Sequence, residues 1–234
     1  METSLHRQLK AMYAGKSALV EQRLGAYRID AVRGRQLIEI QHGSLSAIQG
    51  KIARLVETHR VLVVKPIVVR KTLIKQDARG GNIISRRLSP KIGSALDLFH
   101  ELVYFTRVFP HANLTLEMPL VDIEEWRYPG HGKRRKWKWR AADFQVEDQR
   151  LVQIHATHRF RLNTDLLNLL PRNLPQPFHT GQLAELLGVR RWIGQRIAYC
   201  LRKTGAASEC GKDRNALLYQ LVARKSRAKK IAGA

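Results

Sequence analysis

The chain has 234 residues, 44% of them hydrophobic and 26% charged, and its 42 lysines and arginines against 19 aspartates and glutamates give a formal net charge of +23. This length predicts one large or two small globular domains, and the positive charge favours a polyanionic partner, which we expect to be nucleic acid. The sequence excludes a transmembrane helix of ~18 apolar residues, a disulfide framework, since it has two cysteines, and the motif-defined P-loop and HExxH classes. We therefore expect a cytoplasmic protein, nucleoid-associated in a prokaryote, that does not bind membranes.

The first seventy residues predict a helix, a β-hairpin, a second helix and a buried strand, in that order. Apolar residues at helical spacing predict the helices, and β-rich runs around a Gly-containing turn predict the hairpin. Ser44 is a good N-cap for the second helix. The expected elements are a helix over residues 5–24 kinked at Gly15, strands over 27–32 and 37–41, a helix over 45–56 and a strand over 61–64 of the kind found in parallel sheets.

The middle of the chain is β-rich and basic. A helix is expected where apolar spacing ends at Pro110, and β character returns after residue 113. The expected elements are a strand over 67–69, a Gly- and Arg-rich loop over 75–93, a helix over 95–108, β structure over 114–154 and a linker with a short helix over 163–177.

The last part of the chain predicts a helix-turn-helix followed by a wing. Thr180 is expected to cap a helix over 181–187, Gly188 to turn the chain into a helix over 190–203, and residues 206–209 and 217–222 to pair as a hairpin. The predicted domains are an α/β domain over 1–118, a basic β-hairpin-rich connection over 119–170, a winged-helix-like domain over 171–223 and a basic tail over 224–234.

The first hairpin carries the carboxylates of most interest. Asp30 lies in its first strand, Glu39 in the second, and Gln41 follows on the same face as Glu39 because side chains alternate along a strand. An isolated carboxylate on a half-buried strand is costly unless it is paired or holds a metal. Two carboxylates from adjacent strands offer the oxygen ligands that Mg²⁺ prefers, and a metal held there can activate water and neutralise charge on a phosphodiester. We therefore expect Mg²⁺ or Mn²⁺ at Asp30 and Glu39.

Asp30, Glu39 and Gln41 in this order resemble the motif of the PD-(D/E)xK nuclease superfamily, in which an Asp is followed by an acidic residue, any residue and Lys on a hairpin flanked by helices. The resemblance covers about the first seventy residues. It implies an α/β (α+β) restriction-endonuclease-like N-terminal domain with metal-dependent endonuclease activity on DNA. It also implies that the backbone of Ile40, the spacer, reaches the metal. Gln41 stands where the family most often has Lys, a variant known in some restriction enzymes and competence-associated nucleases.

Two further residues complete the expected site. Glu21, placed late in the first predicted helix, is a candidate metal ligand because some members of the family supply an additional acid in that region. Gln41 can hold a water but supplies no positive charge, so another group must stabilise the charge that develops on the phosphate. Lys51, at the border of the apolar stripe of the second helix, is the candidate for that role, and a solvated surface lysine is the alternative. The expected catalytic set is Asp30, Glu39, Gln41 and Lys51.

Two segments outside the hairpin are expected to bind nucleic acid. In the first segment, we expect the cations to contact phosphates and the two tryptophan side chains to stack on bases. The alternative is that these tryptophans pack inward. In the second, early residues of the recognition helix face a groove and cations at the wing tip contact the backbone. The residues are Lys133, Arg134, Arg135, Lys136, Trp137, Lys138, Trp139 and Arg140 in the first segment, and Arg190, Arg191, Gln195, Arg196, Lys212 and Arg214 in the second.

Three alternatives stay open. In a basic α/β domain without catalysis, Asp30 and Glu39 would pair with nearby arginines such as Arg28 or Arg33. A nuclease-like fold can also be kept for binding alone, in a transcription or nucleoid factor whose first domain mediates assembly. The third alternative is an RNA-binding or RNA-processing protein. Oligomeric state is open as well, and a homodimer is one expectation because many nucleases that cut both strands dimerise.

Overall fold

The protein divides into two compact units, Met1–Arg161 and Leu162–Ala234. The structure, a computed structural model, describes residues 2–15, 19–130 and 143–222. The division differs from the expected one, because a strand that runs from residue 114 to 129 crosses the expected boundary at 118 and belongs to the same sheet as the first hairpin. The expected connection over 119–170 is therefore, up to residue 161, an integral part of the first unit.

Within the described residues, the first unit is built on one mixed sheet of eight strands. Its class is thus mixed α/β, as the sequence predicts. The strands are β1 (Leu19–Leu24), β2 (Tyr27–Arg33), β3 (Gln36–Ile40), β4 (Arg60–Val64), β5 (Ile67–Gln76), β6 (Ile83–Leu88), β7 (Leu114–Pro129) and β8 (Phe144–Phe160).

The first four strands are joined by two kinds of connection, hairpins and a helical crossover. The β1–β2 and β2–β3 pairs are antiparallel hairpins, whereas β4 returns parallel to β3 after a helical crossover, as predicted for that buried run. β7 then pairs in parallel with β4 and, farther along the same strand, with β5. β8 pairs antiparallel with nearly the whole length of β7. The far ends of β5 to β8 thus form an arm that extends beyond the hairpin strands.

Helices cover this sheet. The structure has α1 (Ser4–Ala14), α2 (Gln49–Leu55) and α3 (Leu98–Leu102), with short 3₁₀ segments before α2 and α3. Thr3 caps α1, and Ser44 accepts a hydrogen bond from Ser46 N–H at the start of the segment that leads into α2, as expected for a cap. Leu5 and Leu9 of α1 are fully buried in one core cluster with strand residues of β2, β3, β4 and β7.

Three predicted elements of the first unit are wrong in part. The first helix ends at Gly15, whose φ of 70° favours glycine, and the following apolar residues form strand β1 because they pair with β2. The expected loop over 75–93 contains strand β6, all of whose side chains are exposed. The expected helix over 95–108 is helical only to Leu102 and continues as turns. Residues 19–24 and 83–88 take the strand conformation because they pair with β2 and β5.

The second unit has the predicted order of helix, turn, helix and hairpin. Its elements are β9 (Phe178–His179), α4 (Thr180–Leu186), α5 (Arg191–Lys203), β10 (Ala207–Asp213) and β11 (Ala216–Leu221), after a 3₁₀ segment over Asn163–Leu169. His179 caps α4, in place of the expected Thr180. β11 lies between β10 and β9.

A glycine sets the contact between the two helices of this unit. A Cβ built on the buried Gly194 of α5 would lie 2.6 Å from the Thr180 carbonyl oxygen and 2.9 Å from the Ala184 Cβ. A larger residue therefore has no room where α5 crosses α4. Among the described residues, no helix of the chain is both long enough and apolar enough to span a membrane.

Candidate functional site

Asp30 and Glu39 lie side by side where β2 and β3 diverge. The backbone pairing of β2 with β3 ends at Ala31 opposite Ile38, and Asp30 is the next residue beyond that pair. At this position a side chain takes the place of the backbone acceptor, because Oδ2 of Asp30 accepts a hydrogen bond of 2.7 Å from the Ile40 N–H. The backbone of the spacer residue is thus beside Asp30.

Glu39 is a buried carboxylate that is paired through one of its two oxygens. The residue is 8% exposed, and its Oε1 lies 2.6 Å from Nζ of Lys51 on α2. Its Oε2 is buried and has no hydrogen-bond partner within the part of the chain that the structure describes. Burial raises the pKa of Glu39, and the negative charge of Asp30 raises it further, against the lowering effect of Lys51. An unsatisfied carboxylate oxygen of this kind is a place where a cation is stabilising.

Asp30 is held by a histidine from α1. Nε2 of His6 lies 3.3 Å from Oδ1 of Asp30. Burial favours the neutral acid, but hydrogen bonds from His6 and from the Ile40 N–H outweigh it, and the pKa of Asp30 lies below its usual value. The hydrogen bond to Asp30 raises the pKa of His6 in turn. The two acids therefore differ, with Asp30 ionised more readily than Glu39.

The structure brings the predicted Lys51 to the acids but gives Gln41 another role. The side-chain amide of Gln41 donates to the Ser44 carbonyl at 2.7 Å, and its backbone N–H donates to the Val64 carbonyl. Within the described residues, no hydrogen bond joins Gln41 to Asp30 or Glu39. The amide therefore shapes the turn into the next helical segment.

A buried lysine, Lys65, holds the turn after Gln41 through hydrogen bonds to its carbonyls. Nζ of Lys65 donates to the carbonyls of His42 at 2.9 Å and of Gly43 at 2.6 Å, and lies 3.6 Å from Oε1 of Glu101. Burial lowers the pKa of Lys65, and the Glu101 carboxylate opposes that effect. This lysine joins the turn after Gln41 to Glu101 of α3 at the edge of the candidate site.

The prediction that Glu21 lies on a helix is wrong, because Glu21 lies on the edge strand β1. Its exposed carboxylate pairs with Lys10 Nζ at 2.8 Å and with Arg28. Those two cations lower the pKa of Glu21. Among the described residues, no three His, Cys, Asp or Glu side chains form a metal-binding group. A metal at this site would be held by Asp30 and Glu39 with backbone or water oxygens.

The arginine pairings expected for a purely structural role are absent from the described residues. Arg28 pairs with Glu21, and Arg33 donates to the Tyr13 carbonyl. The partners of the two acids are instead His6 and Lys51. Sequence reasoning missed His6, which is 24 residues from Asp30; its one available signal was its place beside Leu5 at the start of an amphipathic helix.

The predicted nucleic-acid residues of the second unit lie on the surface. Arg190, Arg191 and Gln195 are exposed at the start of α5, and Lys212 and Arg214 are exposed on β10 and in the turn after it. Arg196 is half-buried. The expected Lys133, Arg134, Arg135, Lys136, Trp137, Lys138, Trp139 and Arg140 lie outside the described residues.

Two aromatic side chains of α5 were not predicted to face solvent. Trp192 is 46% exposed and Tyr199 is 38% exposed. The Arg196 guanidinium lies 5.0 Å from the centroid of the Trp192 ring, and Lys203 Nζ lies 5.9 Å from that of Tyr199. Cations and aromatic rings thus alternate along the exposed face of this helix, at spacings of three and four residues that the sequence contains.

Comparison with known proteins places the chain in a family. Residues 3–161, the whole of the described sheet unit, match the family described as "Domain of unknown function (DUF8091)", and the chain belongs to that family. An uncharacterized protein of Treponema pallidum (strain Nichols) is 27% identical over 221 residues, which cover 94% of this chain and 85% of the relative. No solved structure matches the chain.

Proposed function

We propose that this member of the DUF8091 family binds DNA and hydrolyses phosphodiester bonds with a divalent metal, Mg²⁺ or Mn²⁺, held by Asp30 and Glu39. The observation that carries the proposal is the buried Oε2 of Glu39, which has no hydrogen-bond partner among the described residues and lies beside a second carboxylate on the neighbouring strand. Two carboxylates match the oxygen ligands that such ions prefer. The resemblance to the PD-(D/E)xK superfamily and the net charge of +23 support the same proposal.

The residues around the acids fit this chemistry. Asp30 and Glu39 would hold the metal, with the backbone of Ile40 nearby, and the metal would supply charge neutralisation and a more acidic bound water. Lys51 supplies the fixed positive charge that Gln41 lacks, and it already contacts Glu39. His6 orients Asp30 through their hydrogen bond. Glu21, which is committed to Lys10 and Arg28, is not included among the proposed ligands.

The second unit is proposed to hold the DNA as a winged-helix-like module. Its exposed cations at the start of α5 and on the hairpin can contact phosphates, which give salt-dependent binding without sequence information. Gln195 has the chemistry to contact a base edge. A homodimer and a location at the nucleoid remain predictions, the first to be measured by light scattering of the purified chain.

A second candidate function is DNA binding without catalysis. It is favoured by the fact that each acid already has a positively polarised partner, Lys51 for Glu39 and His6 for Asp30. In this alternative the acids only stabilise the junction of α1, α2 and the hairpin.

A cleavage and binding assay on the full chain separates the two. Duplex DNA, single-stranded DNA and single-stranded RNA are incubated with Mg²⁺ or Mn²⁺, and binding is measured in parallel by fluorescence anisotropy in EDTA. Asp30→Asn and Glu39→Gln remove the proposed ligands, and Glu57→Gln, an exposed acid just after α2, is the matched control. Circular dichroism checks that each variant is folded.

We expect metal-dependent cleavage by the wild type and by Glu57→Gln, and none by the two ligand variants. Salt-sensitive binding without cleavage would refute the nuclease and favour the second candidate. Preference for RNA over duplex DNA would replace DNA as the substrate. If no nucleic acid binds, both candidates are wrong.

A further inference from the structure

Two clefts lie along the arm of the sheet, and one arginine lines both of them. The proximal cleft has a volume of about 580 Å³ and is lined by residues that include His42, Lys65, Lys71 and Arg127. The distal cleft has a volume of about 510 Å³ and is lined by residues that include Lys75, Arg87, Arg127 and Phe144. Both volumes fall in the range of ligand-binding sites. Because Arg127 lines both, the two clefts adjoin at its side chain.

The proximal cleft begins beside the candidate metal site. His42 follows Gln41 directly, and the N–H of Ile40, two residues before His42, donates to Oδ2 of Asp30 at 2.7 Å. Lys65, at the base of the same turn, lies between β4 and β5. A chain of polar groups therefore leads from Asp30 to the start of the cleft.

Two cations of the proximal cleft, Lys71 and Arg127, are held in place by a buried carboxylate. Glu125 of β7 is 3% exposed and accepts hydrogen bonds from Lys71 Nζ at 2.5 Å, from Arg127 and from Gln149 Nε2 at 2.8 Å. These hydrogen bonds keep the pKa of Glu125 low although its burial acts in the opposite direction. A lysine has three N–H donors and an arginine five, so Lys71 and Arg127 retain donors for a ligand. Two cations against one acid leave this cluster with a net positive charge.

The distal cleft combines cations with aromatic rings. Among its described lining residues, Asp143 carries the one negative charge against Lys75, Arg87 and Arg127. The Arg127 guanidinium carbon lies 3.8 Å from the centroid of the Phe144 ring, which is 38% exposed. Unstacked bases of a single strand stack on aromatic rings and on arginine guanidinium planes.

Strand geometry aligns these groups. Lys71 and Lys75 lie four residues apart on β5 and therefore point to the same face, separated by roughly 13 Å at the usual rise of a strand. Their register partners on β7 are Ile123 and Arg127. Arg87 of β6 lies opposite Leu73, between the two lysines. The positive groups thus follow the direction of β5 away from the candidate metal site.

We propose that the two clefts form one track for a single nucleic-acid strand, which leads along β5 from the site at Asp30 and Glu39 toward Phe144. Phosphates contact Lys71, Lys75, Arg87 and Arg127, and a base stacks at Phe144. The substrate class is accordingly a nucleic acid with a single-stranded segment next to the position of cleavage, since a duplex keeps its bases stacked inside. This inference rests on the nucleic-acid-binding part of the proposed function, and its reference to a position of cleavage rests on the nuclease part.

Binding at several salt concentrations tests the track. A fluorescent oligothymidylate and a blunt duplex are titrated with the full chain in EDTA, so that cleavage plays no part. The test variant is Lys75→Gln/Arg87→Gln, two exposed cations for which the described residues offer no ion-pair partner. The matched control is Arg23→Gln/Arg35→Gln, which removes the same charge from exposed positions beside a different cleft of the same unit.

The number of phosphate contacts is measured by the slope of log affinity against log salt, which changes by about 0.7 per contact for a single strand. Two lost contacts should reduce the slope for the oligothymidylate by about 1.4 in the test variant and leave it unchanged in the control. Phe144→Leu should weaken binding of the oligothymidylate without changing its slope, because stacking involves no counterion.

Each outcome has one meaning. Equal slope changes in the test and control variants would show a general charge effect and overturn the track. Unchanged binding of the oligothymidylate by both Lys75→Gln/Arg87→Gln and Phe144→Leu would overturn it as well. Equal loss of duplex binding in the test variant would overturn the single-strand assignment. Failure of the wild type to bind any nucleic acid would instead refute the proposed function. If the wild type binds here but does not cleave in the separate assay with Mg²⁺ or Mn²⁺, the track stands as a binding site and the nuclease is refuted.

Discussion

Replacing Lys51 by methionine removes the positive partner of Glu39 while keeping most of the length of the side chain. Nζ of Lys51 lies 2.6 Å from Oε1 of Glu39, and the side chains are 17% and 10% exposed. Oε2 of Glu39 already has no partner among the described residues, and the variant would remove the Lys51 partner of Oε1 as well. Removal of one member of a buried ion pair costs about 3–5 kcal/mol of stability.

Protonation of Glu39 limits that cost and makes it depend on pH. A glutamate with an unfolded pKa of about 4.3 needs about 3.7 kcal/mol to be protonated at pH 7 and about 1 kcal/mol at pH 5, at 1.36 kcal/mol per pH unit. The pKa of Glu39 is already raised in the wild type, and loss of Lys51 raises it further. The added destabilisation is therefore small below the wild-type folded pKa and grows as pH rises toward the higher folded pKa of the variant. We expect Lys51→Met to lose about 3 kcal/mol at pH 7 and about 1 kcal/mol at pH 5.

Amide hydrogen exchange of the full chain, read by mass spectrometry on peptides that contain β3, measures this loss at both pH values. Lys71→Met is the matched control, because Glu125 keeps Arg127 and Gln149 as partners; it should lose about 1.5 kcal/mol, one charge-assisted hydrogen bond. The double variant Glu39→Gln/Lys51→Met should recover most of the stability. Equal losses at pH 5 and pH 7, or no recovery in the double variant, would refute the reasoning.

Three further predictions concern other parts of the molecule. Gly194→Ala should destabilise the second unit by about 1–3 kcal/mol, because its Cβ meets the backbone of α4; urea unfolding followed by Trp fluorescence measures it. His6→Gln should reduce stability most below the unfolded histidine pKa of about 6.5 and progressively less as pH rises through the raised folded pKa, and a constant difference across thermal melts from pH 5 to 8 would contradict this. Arg190→Gln/Arg191→Gln should lower the salt slope for duplex DNA by about 1.8, at 0.9 per phosphate contact; an unchanged slope in anisotropy titrations would exclude α5 from the interface.

Local patterns were enough for the elements whose conformation is set within a few residues. The hairpin over β2 and β3, the cap at Ser44 and the two helices of the second unit were predicted close to their observed bounds. Each depends on a turn, a cap or a periodic stripe that is visible in a short window of sequence. The helix that was extended through Leu24 failed because residues 19–24 fit either a helix or a strand, and pairing with β2 decides between them.

The candidate site divides in the same way. Asp30 and Glu39 are recognisable from the spacing of two acids on a hairpin. Lys51 is predictable because it borders the apolar face of the following helix. His6 lies 24 residues from Asp30, and the Gln41 amide turned to the Ser44 carbonyl, so neither role has a signature in the sequence.

By itself, the sequence determined the mixed α/β class, the basic character and the pair of hairpin acids, because composition and short-range periodicity are properties of the chain alone. The tertiary structure alone decided that β7 belongs to the main sheet, that β6 is a strand, and that Lys71 and Arg127 share Glu125 on one arm. These features depend on contacts between residues far apart in sequence. Such contacts stabilise a segment only when folding brings its partner close, so the sequence of the segment alone does not reveal them.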